Sequence, residues 1–391
     1  MADAGGSPTA IYLDHGATSW PKPPEVVDAV TRSLTEFGGN PGRGAYRLAL
    51  DTARAIHSAR ADIAHYFGVE DSRNLIFQPG CTQAMNLVLM GLFKPGDRIV
   101  AGGTEHNAVA RPLNLLASRG VEVILVEPDE DGVVDPDEVE AAVEAAPTAA
   151  IVCQHASNLA GGIHPVADLS DIAHSHGALM IVDGAQAGGH LRVNLAELGV
   201  DVWACAGHKG LLGPQGIGVL YLAPGCEPAE LVSGGTGSGQ SEEPLQPKGR
   251  PDRYEAGTPN TPGILGLGAA VNWLGTHGDE LRAEEARLTR MMHEGLLEIE
   301  GFRVLGPESE VPRVPIVSAV HDSVEVDRIA FALDRRYGIA TRGGLHCAPW
   351  AHRASGTLET GALRFGIGYG NTVADIERTL EAVAQIVAEE R

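Results

Sequence analysis

The sequence predicts an α/β fold: a mostly parallel β-sheet with helices on both faces, followed by a smaller C-terminal α/β unit. Three observations carry this. Short apolar runs alternate with helical-period segments between residues 98 and 182. The runs Ala178–Val182 and Val202–Cys205 are continuously apolar, which marks strands buried on both faces. Between Ser233 and Pro262 the chain turns rich in Gly, Pro and charge (SGGTGSGQSEEPLQPKGRPDRYEAGTPNTP), as a functional loop or a domain connector does.

In chain order, residues 11–13 read as a short strand ending in the turn Asp14-His15-Gly16-Ala17-Thr18. Pro23-Pro24 opens a helix from Glu25 to about Phe37, proline being favoured in a first turn. After the glycine-rich loop GGNPGRG, Ala45 to Phe67 has apolar residues at helical spacing. Leu75–Phe77 is a short strand, and Gly80-Cys81-Thr82 opens a helix to Leu92. Strands follow at Arg98–Ala101, Val121–Val126, Ala149–Cys153 and Ala178–Val182, with helices near 107–119, 135–146 and 165–176 between them. Val219–Leu222 adds another strand. Beyond the loop, helices at Ile264–Trp273 and Glu280–Ile299 lead into strands near 302–304, 313–319, 338–341 and 363–367 and helices at 325–336 and 373–389.

At 391 residues the chain is long enough for two domains, and 43% hydrophobic with 20% charged residues is ordinary for a globular enzyme. The net charge of −22 argues against nucleic acid or an anionic membrane surface as partner. No apolar run approaches a membrane span, and MADAGGSPTA lacks the basic start and apolar core of a signal peptide. Five scattered cysteines without CxxC spacing suit a reducing cytoplasm, so a cytoplasmic location is expected.

The chemistry concentrates around residues 178–216. Asp183 ends one buried strand, and Gly207-His208-Lys209 follows the next. Of only four lysines, Lys22, Lys94 and Lys248 adjoin proline in loops, whereas Lys209 stands among glycines that let a ligand approach the backbone. A lysine able to form a Schiff base and an acid able to hold a pyridine nitrogen protonated are the two ends of a pyridoxal phosphate clamp. Gly80-Cys81-Thr82 offers a phosphate site, because helix N-terminal amides and a hydroxyl attract anions; equally, Thr82 is an ordinary cap. His106 follows a strand, placed to stack on a planar ring, to act as acid or base, or to be a plain loop residue. Asn158 and Gln186 also follow strands and can hydrogen-bond a cofactor hydroxyl or a substrate. Arg342-Gly343-Gly344-Leu345-His346-Cys347 reads as a mobile loop with a cysteine nucleophile. Two other readings of it stay open: a small buried Cys, or metal binding with His346 and His352, which lacks a fourth ligand. Arg364 is a candidate carboxylate clamp or a surface salt bridge.

Leu13–Thr18, Thr104–His106, Val182–Gln186, Gly207–Lys209, Glu255–Thr261 and Arg342–Ala348 together resemble the cysteine desulfurases of the class V aminotransferase group, over residues 11–389. The Arg-x-Gly-x-His-Cys-Ala segment is similar to the branch holding SUF-type desulfurases and selenocysteine lyases. The resemblance implies a pyridoxal phosphate fold-type I enzyme with a mostly parallel seven-stranded sheet. It implies an N-terminal segment 1–24 packed on the small domain, a large cofactor-binding domain 25–262, and a small domain 263–391 carrying Cys347 and Arg364. Lys209 would be Schiff base and proton shuttle, with Asp183 on the pyridine nitrogen. His106 would stack on the ring, and Gln186 would bond its phenolic oxygen. Thr82 and His208 would hold the phosphate, joined by Thr258 from a second subunit of a homodimer, and Cys81 beside Thr82 would belong to the cofactor site. Asn158, Arg342 and Arg364 would hold the substrate. Cys347, a thiolate helped by Arg342 or His346, would take sulfur from L-cysteine and pass it to an acceptor protein. Selenocysteine lyase, or a C–S lyase, transaminase or epimerase in which Cys347 does no chemistry, are the other activities the resemblance allows. Ala206, Cys81 and His15 depart from the pattern, Ala206 by removing a hydroxyl from the phosphate site.

Overall fold

The computed structural model describes residues 11–42, 44–237 and 242–390. The N-terminal decapeptide, and with it the reading that it is no signal peptide, lies outside them, as do parts of the 38–44 and 233–262 loops. The first half alternates: β1 (Ile11–Tyr12), α1 (Pro24–Glu36), α2 (Arg47–Tyr66), β2 (Leu75–Gln78), α3 (Cys81–Leu92), β3 (Arg98–Gly102) and α4 (Asn107–Ser118). β4 (Glu122–Val126), α5 (Pro136–Glu144), β5 (Ala150–Gln154), α6 (Val166–Ser175), β6 (Leu179–Asp183), the single-turn α7 (Leu195–Leu198), β7 (Val202–Ala206) and β8 (Gly218–Leu222) continue it.

These strands form one seven-stranded sheet in the order β2-β8-β7-β6-β5-β3-β4. All pairings are parallel except those of β8, which runs against both β7 and β2. Both faces are buried, and successive residues alternate between two cores as the pleat requires. Met180, Val182, Trp203 and Cys205 join the core beneath α2, α5, α6 and α8, whereas Ile181, Val202, Ala204 and Ala206 join that beneath α3 and α4. Register aligns Gln154 with Asp183, and Asp183 with Ala204, at the strand ends where ligands bind in such sheets.

The long helix α8 (Thr261–Leu297) packs on α1 and α2 at its start and on the C-terminal elements at its end. Two helices were expected over this stretch, broken near 274–279; the structure has one of 37 residues. Gly275 and Gly278 each disfavour helix by about 1 kcal/mol, and tertiary packing on both sides of them outweighs that. Gly268 is required by closeness, since a Cβ there would come within 2.8 Å of the Ala59 Cβ.

After α8 come β9 (Phe302–Val304), β10 (Ile316–His321), α9 (Val326–Ala332), β11 (Ile339–Ala340), α10 (Pro349–Ala354), β12 (Leu363–Gly366) and α11 (Val373–Glu390). β12-β10-β9 form an antiparallel sheet, and β1 pairs in parallel with β11, so Ile11 and Leu13 share a core with Phe365 and Val383. The 223–260 connection has neither helix nor strand among its described residues and is tied down by a largely buried ion pair. Both Arg60 terminal nitrogens meet the Glu255 carboxylate at 2.7 Å, and Glu255 also accepts from the Phe77 amide. Removing one partner leaves the other charge buried alone, so Arg60→Ala is expected to destabilise by about 3–5 kcal/mol. Urea denaturation of the two proteins measures it; an unchanged midpoint would mean that the pair is not held this way. None of the described helices is long and apolar enough to cross a membrane.

Candidate active site

The carboxyl ends of β6 and β7 open into a cavity of about 370 Å³. Ten of the twelve residues singled out from the sequence line it: Cys81, Thr82, His106, Asn158, Asp183, His208, Lys209, Arg342, Cys347 and Arg364. The other two do not. Gln186 is buried behind the wall, its Nε2 donating to the Gly16 carbonyl at 3.0 Å and its Oε1 unpartnered. Thr258 lines a separate cavity of about 270 Å³ with Asn40 and Gly237.

Asp183 sits at the end of β6 with its Oδ1 occupied twice. The Ala185 amide donates to it at 2.9 Å and the Cys81 thiol at 3.2 Å. Cys81 was grouped with the phosphate end by sequence; its side chain instead points at the carboxylate, with the Ala204 carbonyl as second acceptor. Burial first, then the neighbouring Asp183, pushes this thiol well above its ordinary pKa, so it stays a donor. Oδ2 of Asp183 is left for whatever enters the cavity. Cys81→Ala is expected to loosen a ligand on that carboxylate by about 1 kcal/mol, roughly fivefold in dissociation constant, and Cys81→Ser to restore it. Coenzyme dissociation followed by absorbance checks this; equal affinity in all three proteins would refute it.

The first turn of α3 presents Cys81, Thr82 and Gln83 to the cavity, and its unpaired amides and dipole suit a phosphate. His208 lines the wall with a buried, unpartnered Nδ1, and burial together with Lys209 lowers its pKa to about 4. Ala206 stands beside it without a hydroxyl. The Lys209 amine is shifted down from its ordinary pKa, chiefly by burial, while Asp183 opposes the shift. The net effect is an amine that gives up its proton more readily than an exposed lysine.

Sequence reading missed what holds this lysine. The His208 carbonyl accepts from the Ser19 amide at 2.8 Å and from Lys22 Nζ at 3.1 Å. Ser19 Oγ reaches the Lys209 carbonyl at 2.8 Å. Lys22, expected as a loop residue, is therefore a strut, its pKa lowered by burial to about 8. Only the fold brings residues 19 and 208 together, so no local signal announced the contact.

His106 caps α4, its Nδ1 accepting the Ala108 amide at 3.0 Å. That bond fixes the tautomer with hydrogen on Nε2, and burial, then Lys209, lowers the pKa to about 4, so the ring is neutral at neutral pH. Behind it Glu105 accepts the Gln154 amide at 2.7 Å and is pushed well above the carboxylate range by burial, fixing the turn that carries His106.

Cys347 is exposed and sits on a tied backbone, not the mobile loop expected from Gly343-Gly344. Gly344 and Ala362 exchange backbone bonds at 3.1 Å, as Arg342 and Arg364 do at 2.8 and 3.3 Å. His346 and Cys347 both have left-handed φ, +50° and +57°, which costs a side-chain-bearing residue of order 1 kcal/mol or more. Three contacts hold them there. Asn158 Nδ2 donates to the His346 carbonyl at 2.8 Å, the Asn107 amide to the Cys347 carbonyl at 2.8 Å, and His346 Nε2 to the Ala362 carbonyl at 2.9 Å. Burial, then Arg364, lowers the His346 pKa to about 3. The expectation that His346 helps a thiolate is thereby corrected: a neutral ring supplies no charge, which leaves Arg342 and Arg364 as the cations of that wall. No group of three His, Cys, Asp or Glu side chains is placed to hold a metal ion among the described residues.

Arg364 is buried on β12, not a surface residue. One terminal nitrogen donates to the Asn158 carbonyl and the other to Asp14 Oδ1, each at 3.0 Å, while buried Nε has no partner. Asp14 was missed as its counter-charge. Asn158 Oδ1 and His346 Nδ1, on residues that also line this cavity, are likewise buried and unpartnered.

Residues 11–379 match the family model described as aminotransferase class-V. The chain belongs to the class-V aminotransferase family. A probable cysteine desulfurase of Methanothermobacter thermautotrophicus is 35% identical, the match covering 96% of this chain and 94% of the relative. One of Pseudomonas aeruginosa is 36% identical over 94% and 91%. Among solved structures, an apo cysteine desulfurase from Thermococcus onnurineus superposes with a TM-score of 0.90 at 31% identity, covering 97% of this chain and 95% of that one. A cysteine desulfurase of Escherichia coli, in an S-sulfonic acid form, gives 0.87 at 27% identity over 97% and 95%. This class-V chain therefore groups with the cysteine desulfurases, and its mostly parallel seven-stranded sheet is the fold expected of them.

Proposed function

We propose that this protein is a pyridoxal phosphate-dependent cysteine desulfurase that converts L-cysteine to L-alanine and leaves the sulfur as a persulfide on Cys347. The observation that carries this is one cavity joining Lys209, Asp183, the N-terminus of α3 and an exposed cysteine. The residues fit the coenzyme. Oδ2 of Asp183 is available to a ring N–H, the α3 amides with Thr82 to a phosphate, and the neutral His106 to a ring face. When bound, pyridoxal phosphate supplies an aldehyde carbon for amines and a ring that takes up the electron pair left at the substrate Cα.

The chain does the rest. Lys209 Nζ would hold the coenzyme and, as a free amine, would carry the substrate's Cα proton. Burial suits it to both tasks by lowering the cost of a free amine. Arg364 Nε and Asn158 Oδ1 face the substrate's carboxylate and amine, with Arg342 adding charge. The Cys347 thiolate forms a bond to the substrate sulfur as the carbon–sulfur bond breaks; the pair on carbon is protonated and alanine leaves. Cysteine and the enzyme thiol thus become alanine and the enzyme persulfide, with no outside oxidant.

Thr258, outside the cavity of its own chain, supports a homodimer in which it serves the partner's phosphate site, and the exposure of Cys347 supports hand-over of sulfur to an acceptor protein. A cytoplasmic setting suits a reactive thiol. Incubating purified protein with cysteine and with selenocysteine, and assaying sulfide, selenide and alanine, tests the reading. Equimolar sulfide and alanine are expected in the presence of a thiol reductant; selenide alone would make the protein a selenocysteine lyase, and neither would reject both.

A further inference from the structure

Away from the active cavity, a further one of about 200 Å³ lies between the later turns of α8 and the segment leading to β10. Thr289, Arg290 and His293 line it from the helix, and Ser309, Glu310 and Arg313 from the segment. Nε, Nη1 and Nη2 of Arg313 are all buried and all lack a hydrogen-bond partner, which is true of no other arginine among the described residues. A guanidinium carries five N–H donors, and burying them unused is among the most unfavourable arrangements a protein can hold. Burial lowers the Arg313 pKa only to about 10, so the charge stays on at neutral pH; Asp131 acts on it through space without bonding it.

The second orphan in this wall is Nδ1 of His293, buried and unpartnered. Burial first, then Arg313, lowers the pKa of its ring, so the imidazole is neutral at neutral pH and can present Nδ1 as an acceptor to a ligand O–H. Forked donors opposite one acceptor describe a ligand with several acceptor oxygens and one O–H. Hydrogen phosphate has that pattern, and the volume holds it with room for a small substituent. Glu310 is the one carboxylate in the lining. It is exposed and pairs loosely with Arg290 at 3.9 Å, so it marks the rim, from which an entering anion can draw Arg290.

We propose that this cavity is a binding site for a phosphate-class oxyanion, its oxygens on the Arg313 guanidinium, its O–H on His293 Nδ1, and Arg290 at the mouth. The site does not depend on the desulfurase reading. The backbone of Arg313 bridges Gly162, and Val314 donates to the Gly161 carbonyl at 3.0 Å, so the site adjoins the segment that carries Asn158.

Titration calorimetry on the coenzyme-saturated protein, in which the coenzyme's own phosphate position is filled, tests the proposal with inorganic phosphate, glycerol phosphate and sulfate. One saturable phosphate site per chain is expected, lost in Arg313→Gln and weakened several-fold in Arg290→Ala, an exposed change that spares the fold. Sulfate, which has no proton at neutral pH for His293, is expected to bind more weakly. Tighter binding of glycerol phosphate would identify an organic phosphate as the occupant, and phosphate alone a free anion. Absence of saturable binding by any of the three, or equal phosphate binding in Arg313→Gln, would overturn the site.

Discussion

Lys209→Ala is expected to abolish cysteine turnover, by roughly 10⁴-fold or more, because removing a general acid–base group alone takes about 10²–10⁴ and this amine also holds the coenzyme. The structure offers no stand-in. Lys22, the other lysine near the loop, has its Nζ committed to Ser19 Oγ at 2.7 Å and to the His208 carbonyl. The variant's fold should survive: the strut from Ser19 and Lys22 grips the main chain of 208–209 and leaves the Lys209 side chain to the cavity. Two measurements follow. The visible absorption of the purified protein should lose its lysine-dependent band, and sulfide release should fall to background while thermal unfolding stays near wild type. A variant that kept both band and rate would show that the attaching amine lies elsewhere, and every role assigned around it would go too.

Much of this site was legible before the structure, and the reason is local. Strand ends in a parallel sheet are read from apolar runs bounded by glycine, so Asp183, His106 and Lys209 were found where chemistry occurs in such folds. The helix read at 45–67 from its apolar spacing is found at 47–66, and the helix read at 25–37 from the prolines before it is found at 24–36. What escaped was set by distance along the chain. Asp14 neutralises Arg364 across 350 residues, and Ser19 grips a loop 190 residues away; neither has a neighbour in sequence that marks it. Cys81 was misread for a different reason. Its position at a helix start fits the phosphate, and only the packed structure shows the side chain turning inward to Asp183. His346 was misread because burial, which no short motif encodes, decides its charge. The glycines at 343–344 suggested motion, but backbone pairing with residue 362 closes the segment into a rigid turn.

Cys347→Ala should separate binding from sulfur chemistry. Asn158 and Arg364 keep their partners in the variant, because the bonds fixing the loop run through the carbonyls of His346 and Cys347, not through the thiol. Cysteine should therefore still bind and perturb the visible spectrum, while alanine and sulfide fall together. The loss is expected to be on the order of 10³-fold or greater even with millimolar thiol added, since an oriented internal nucleophile acts at an effective concentration of about 10⁵ M or more. Loss of one product without the other would contradict transfer in a single step from substrate to thiol. The strained, tied backbone sharpens the test. With φ already at +57°, alanine adds little that cysteine does not bear, so Cys347→Ala and Cys347→Ser should unfold with nearly the wild-type midpoint. If both variants fold, bind cysteine and still release alanine at the wild-type rate, the exposed thiol is a bystander and the chain is a different class-V enzyme. A proton shuttle alone can eliminate the sulfur of cysteine as hydrogen sulfide, but the carbon skeleton then ends as pyruvate with ammonia, not as alanine. What a thiol at the cavity mouth adds is a covalent place to keep the sulfur.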